Sequence, residues 1–180
     1  MTSFQEALKA NKFNEFSLFL VELVKVMKVH TYVELGVSRG YTFNKISPHV
    51  EKAIAVDITP MPYVARLPNV RVYTMSTQDF SKVWKDPIDF LFIDADHRKE
   101  AVLRDFYLFL PYVKTNTGLI ALHDTLPAYR ELLDDKYCSN AWEAVKEIKE
   151  DLGNTIEMLS IPSGWAGLTL VRKVSKPLLF

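Results

Sequence analysis

Residues 32–40 read YVELGVSRG, and residues 52–57 read KAIAVD. The first stretch is a short strand, Tyr32-Val33-Glu34-Leu35, broken at Gly36. Gly36 and Gly40 sit where the strand turns into a helix, and residues without a Cβ let a backbone approach a ligand closely there. The second stretch is a strand of buried type that ends on a carboxylate, Asp57, 21 residues after Gly36. An acid at that separation can accept both hydroxyls of a ribose. Taken singly, the turn is also compatible with an ordinary tight turn, and Asp57 with a helix cap or a solvated strand end. A dinucleotide GxGxxG is not present, because Ser38 takes its second glycine position and Tyr41 its third. No Gly-Lys-Ser/Thr exists to make a phosphate-cradling loop. Glu34, two residues before the glycine, suits a ligand that carries positive charge.

Outward from this pair, strands and helices alternate. Residues 3–29 have apolar spacing near 3.6 and predict one or two helices. A helix is expected over 39–47, stopped by Pro48, and an irregular Pro-rich crossing follows over 59–68. Strands are expected at 69–75, 88–93 and 118–122, with helices at 78–84, 98–110 and 140–152. Leu103, Phe106, Tyr107 and Leu110 fall on one face of the second of those helices. Strands at 155–161 and 165–173 close the chain as a hairpin around Pro162-Ser163-Gly164. Continuous apolar strands between helices imply a parallel sheet covered on both faces, with ligands at the carboxyl ends of its strands.

The 180 residues suffice for one domain. The division expected is a helical segment over 1–30 and an α/β domain over 31–180. Lys plus Arg and Asp plus Glu both number 22, so the net charge is zero. That counts against nucleic acid as a partner, since phosphate neutralisation calls for a basic excess. The most apolar stretch, SLFLVELVKVM at 17–27, is too short and too charged to cross a membrane. Cys138 is the only cysteine and is expected to be inert, in a reducing, cytoplasmic setting. Trp84, Trp142 and Trp165 are expected in the core or at a sheet edge, and His30 and His49 at the surface.

VELGVSRG (33–40), AVD (55–57), FIDADH (92–97) and GLIALHD (118–124) together resemble a class I S-adenosylmethionine-dependent methyltransferase. The resemblance runs over residues 30–175. It implies a Rossmann-like, doubly wound, seven-stranded, mostly parallel sheet with an antiparallel last strand. It also implies that Gly36, Ser38 and Gly40 pass the methionine and ribose portions of S-adenosylmethionine, with Glu34 near the amino-acid end. Asp57 would hold the ribose, and Ser76 and Thr77 would lie beside the adenine.

Asp94-Ala95-Asp96-His97 is the densest chemistry in the chain. Histidine titrates near neutrality, so His97 can take the proton that a hydroxyl must lose on methylation. Asp94 would orient that base or bind a cation; Asp96 or His97 could instead cap the following helix. Asp94 and Asp124 end adjacent strands in the implied order and could share a hard ion such as Mg²⁺. FIDADH followed by ALHD is similar to the metal-dependent sugar O-methyltransferase branch, in which Asp94 would bind metal and His97 would be the base. That branch has an acidic second pair, where this chain has His123 beside Asp124. The function expected is methyl transfer to a hydroxyl of a small molecule or sugar, in a chain compatible with a homo-oligomer. A cofactor-binding or assembly module on the same fold and an NAD-dependent oxidoreductase are the alternatives. Residues 3–29 and 59–68 are the material available for a lid.

Overall fold

A computed structural model describes residues 16–175. Seven strands form one sheet: β1 (Thr31–Leu35), β2 (Lys52–Asp57), β3 (Val70–Thr74), β4 (Phe90–Ile93), β5 (Leu119–His123), β6 (Ile156–Ile161) and β7 (Leu168–Lys173). Their order is β3-β2-β1-β4-β5-β7-β6. The first five run parallel, and β7 is antiparallel to both β5 and β6. The helices are α1 (Phe16–Met27), α2 (Phe43–Ile46), α3 (Thr77–Val83), α4 (Lys99–Phe109) and α5 (Ala141–Leu152). This is the doubly wound sheet that the sequence implies.

Strand alternation divides the core in two. Val33, Leu35, Leu91 and Ile93 face a cluster with Phe80, Phe106, Phe109 and Ile148 of α3, α4 and α5. Tyr32, Phe90, Phe92 and Ala121 face α1 and α2, against Phe16, Leu20, Val24 and Phe43. A strand that reads as continuously apolar therefore feeds two different cores, as its period of two requires.

Several local expectations shift. The helix expected over 39–47 contracts to α2 and a 3₁₀ turn at Ser47–His49. Ser38 and Gly40 adopt left-handed backbone (φ 46° and 77°), which no helix can include. The strand at 88–93 keeps only 90–93 in the ladder, with Ile88 forming an isolated bridge to Val113. On α4 the buried face is Ala101, Val102, Asp105, Phe106 and Phe109. Tyr107 instead lies exposed and donates to Asp151 (2.8 Å), because neighbouring α5 offers a polar face there. Trp84 is buried, but Trp142 is 41% exposed, on the outer side of α5. His30 and His49 are exposed, as expected.

Phe80 is fully buried and its ring centroid lies 5.3 Å from Trp84 and 5.7 Å from Phe109. Truncation to alanine leaves a cavity that this packing cannot close. Urea denaturation of Phe80→Ala is expected to show a loss of about 3–5 kcal/mol.

Candidate active site

All chemistry-bearing strand ends lie on one edge of the sheet. Two of the clefts that open there meet at the glycine loop. The larger, about 420 Å³, is lined among others by Glu34, Gly36, Asp94, His97, His123 and Asp124. The smaller, about 230 Å³, is lined among others by Asp57, Ser76, Thr77, Asp96 and Asp105. Gly36 and Ala95 border both, so the two are halves of one groove over β1 and β4.

Gly36 has φ 87°, and a Cβ on it would fall 2.2 Å from the Asp94 carbonyl oxygen. The glycine is thus required by close passage of two backbones, in addition to any ligand. The Ser38 amide donates to Asp57 Oδ2 (2.7 Å) and the Thr59 amide to Oδ1 (2.8 Å). Asp57 therefore ties the glycine loop to the end of β2, and each of its oxygens keeps lone pairs for further donors. Gly40 is packed against Asn44 and does not line either cleft. Ser76 caps α3 by accepting from the Asp79 amide (3.0 Å), and Thr77 donates to Asp105 (2.7 Å). Both hydroxyls are engaged within the fold, which leaves these residues lining the smaller cleft as a wall.

Glu34 is 2% exposed and takes a hydrogen bond from the Tyr32 hydroxyl. Burial raises its carboxyl well above the ordinary range, outweighing the opposing effect of Tyr32. A cation entering the cleft would find an acid able to ionise against it.

The second half of the groove is a cluster of two carboxylates and two imidazoles. His123 Nδ1 bonds Asp94 Oδ1 (2.9 Å) and lies 3.3 Å from Asp124 Oδ1. His97 Nδ1 lies 2.9 Å from Asp124 Oδ2, while its N–H is directed at the Tyr137 carbonyl. That contact is ionic, and Asp124 Oδ2 remains without a hydrogen bond although the residue is 4% exposed. His97 Nε2 is left facing the cleft, 3.8 Å from Asp94 Oδ1. Cys138 donates its S–H to Asp124 Oδ1 (3.2 Å), and burial pushes the thiol up, so it is an inert donor and no nucleophile. Asp124 holds a left-handed backbone (φ 61°), the kind of local strain that surrounding structure must impose.

Capping does not explain His97. Arg98 is the N-cap of α4 without a side-chain cap bond, Asp96 accepts from the Arg98 amide (3.1 Å), and Asn140 accepts from the Lys99 amide (2.8 Å). Asp96 shapes that turn and pairs with the Arg98 guanidinium, which frees His97 to enter the cleft.

Asp94, His123 and Asp124 each present one donor atom, all within 4.8 Å of one another. The orphaned Asp124 oxygen and this donor set fit a divalent cation. The sequence pointed to Asp94 and Asp124; His123 stands between them as a third donor. Tyr32, Asp105 and Cys138 also belong to the site and were missed. A hydroxyl two residues before Glu34 was the one available sign, for residues at i and i+2 share a strand face.

The crossing at 59–68 lines neither cleft. It is fastened to the glycine loop by Met61 N to Ser38 O (3.0 Å), and to α2 by Asn44, which donates to the Tyr63 carbonyl and accepts from the Ala65 amide. Of the other lid segment, residues 3–15 lie outside the described residues. Among the described residues no helix is long and apolar enough to cross a membrane.

Residues 33–125 match a family model described as a methyltransferase domain. The chain belongs to this methyltransferase family. With it the chain falls in the S-adenosylmethionine-dependent class, and the nicotinamide reading is set aside. Among curated proteins no sequence matches the methyltransferase. Its fold is similar to an O-methyltransferase from Bacillus cereus in complex with SAH, at 18% identity and TM-score 0.66, over 94% of this chain and 87% of that one. It is similar also to the O-methyltransferase TomG from Streptomyces achromogenes in complex with SAM, at 14% identity and TM-score 0.69, over 97% and 92%. A third is cofactor-bound Rv0187 from MTB, at 17% identity and TM-score 0.69, over 96% and 81%.

The cluster's charges make stability depend on pH. Burial lowers the His97 imidazolium, but Asp124 and Asp94 beside it overcome this and raise it to about 9. The same opposition, with the same outcome, raises His123. Burial raises Asp124, and the two imidazoles more than reverse this, holding it far below its usual range. Raised histidines stabilise the fold below their unfolded pKa of about 6.5, and that contribution is lost as pH climbs through the folded value of about 9. In divalent-free buffer the melting temperature of the methyltransferase is therefore expected to fall between about pH 6.5 and about pH 9. His97→Gln should flatten that decline in differential scanning fluorimetry.

Proposed function

We propose that the methyltransferase transfers a methyl group from S-adenosylmethionine to a hydroxyl of a small molecule, with a sugar among the candidate acceptors, and that His97 is the general base. The observation carrying this reading is the convergence of His97, Asp94 and Asp124 on the groove that begins at the glycine loop. S-adenosylmethionine supplies an electrophilic methyl group when bound. The residues that would hold it are Asp57 at the ribose, Gly36 and Ser38 along the loop, and Glu34 at the amino-acid end, with Ser76 and Thr77 walling the adenine side. A larger cleft of about 420 Å³ suits a small acceptor better than a polymer.

His97 acts through Nε2. Its Nδ1 faces the Tyr137 carbonyl and Asp124, which fixes the ring and leaves Nε2 to take a proton from an acceptor hydroxyl. Asp124 and Asp94 beside the ring raise its pKa to about 9, which favours the imidazolium at neutral pH. A divalent cation held by Asp94 and Asp124 would offset their charge and favour the neutral form of His97. The O-methyltransferases of similar fold support an oxygen acceptor.

Calorimetry with S-adenosylhomocysteine tests the cofactor reading, and absence of binding would sink it. Asp57→Ala should weaken that binding by roughly ten- to a hundredfold, the scale of lost hydrogen bonds to a charged group. With methyl-labelled S-adenosylmethionine and a panel of hydroxylated small molecules and sugars, His97→Ala should lower kcat by about 10²–10⁴. Its affinity for S-adenosylhomocysteine should stay within about threefold, since a base outside the cofactor's contacts carries little of its binding energy. Full turnover in that variant would remove His97 from the role.

A further inference from the structure

We infer that His123 makes the centre at Asp94, His123 and Asp124 a site for a borderline divalent transition ion, bound through an imidazole nitrogen, in preference to Mg²⁺. The inference rests on the methyltransferase reading of the groove and concerns the identity of the ion held there.

The distances carry it. Donors bound at about 2.1 Å lie about 3.0 Å apart at right angles and about 3.4 Å apart at tetrahedral angles. His123 Nδ1 is 2.9 Å from Asp94 Oδ1 and 3.3 Å from Asp124 Oδ1. The nitrogen therefore already has the spacing of a neighbouring ligand to each carboxylate. Two rings pack against it: Phe16 lies 4.3 Å and Phe92 6.1 Å from the imidazole, centroid to centroid. The far nitrogen, Nε2, is buried without a partner, so Nδ1 alone makes the ring's polar contacts among the described residues. Asp124 Oδ2 is buried 2.9 Å from His97 Nδ1, which leaves Oδ1 as the oxygen turned toward His123.

Donor chemistry then selects the ion. Mg²⁺ takes oxygen ligands, holds its waters and demands near-octahedral oxygen geometry. An imidazole among three protein donors favours ions from Mn²⁺ to Zn²⁺, with affinity rising along that series to Cu²⁺. His97 is a poorer candidate for the nitrogen ligand, because its Nδ1 is turned to the Tyr137 carbonyl and its Nε2 stands 3.8 Å from Asp94 Oδ1.

The test uses the full chain stripped of metal, with Mn²⁺, Zn²⁺ and Mg²⁺ as the probes. Pulsed electron paramagnetic resonance of the Mn²⁺-loaded protein is expected to show coupling to one imidazole nitrogen. That coupling should persist in His97→Gln and vanish in His123→Asn, which offers a neutral oxygen in the same place. Calorimetry should show the ratio of Zn²⁺ to Mg²⁺ affinity falling at least tenfold in His123→Asn. Bound Mn²⁺ without nitrogen coupling, coupling that disappears in His97→Gln, an unchanged affinity ratio, or no binding of any of the three ions would each overturn the inference. If His123→Asn fails to fold, the wild-type and His97→Gln spectra decide it. S-adenosylhomocysteine is titrated into the same preparation: binding without metal uptake defeats only this inference, and failure of that ligand to bind defeats the methyltransferase reading of the groove.

Discussion

The site depends on how closely the end of β1 passes the end of β4. At Gly36 the two backbones are near enough that a methyl group would overlap the Asp94 carbonyl. This contact sets the floor of the groove and makes the two clefts continuous. It also sets the loop anchored by Asp57 along the same groove as the carboxylates and imidazoles beyond β4 and β5. A wider passage would separate the glycine loop from the acid–histidine cluster.

Given that floor, the remaining constraint is charge. Asp124 is almost wholly buried, and a buried carboxylate is tolerated only with partners. His123, His97 and the Cys138 thiol supply them, drawn from β5, the β4–α4 loop and the segment preceding α5. Electrostatics therefore ties together three regions distant in sequence. The balance also acts on His97, whose pKa Asp124 and Asp94 raise against the effect of burial.

The fold was largely legible because hydrophobic period and punctuation report it directly. The strands at 52–57 and 119–123 and the helix beginning near residue 141 lie within a residue or two of where their patterns put them. The failures share one cause. Residues 39–42 fall inside the helix expected over 39–47, but the glycine loop needs left-handed backbone at 38 and 40 and consumes the first turn. The face of α4 was misread at Tyr107, because which side of a helix is buried depends on the neighbour, here α5. Among site residues, Glu34, Gly36, Asp57, Asp94, His97 and Asp124 could be picked out, since strand ends and chemical type mark them. Asp105 and Cys138 could not, for they reach the groove from a helix and a loop whose paths no local pattern encodes.

The amino-acid sequence by itself determined the sheet, its winding and the edge at which ligands collect, because burial periodicity and glycine placement are local properties of the chain. Only the tertiary structure decided what the cluster is. How near His123 stands to Asp94 and Asp124, which nitrogen of His97 faces the cleft, and which hydroxyls are already engaged within the fold all turn on distances between strands and loops far apart in the chain. Such distances arise from packing the two cores, and packing is a property of the whole fold.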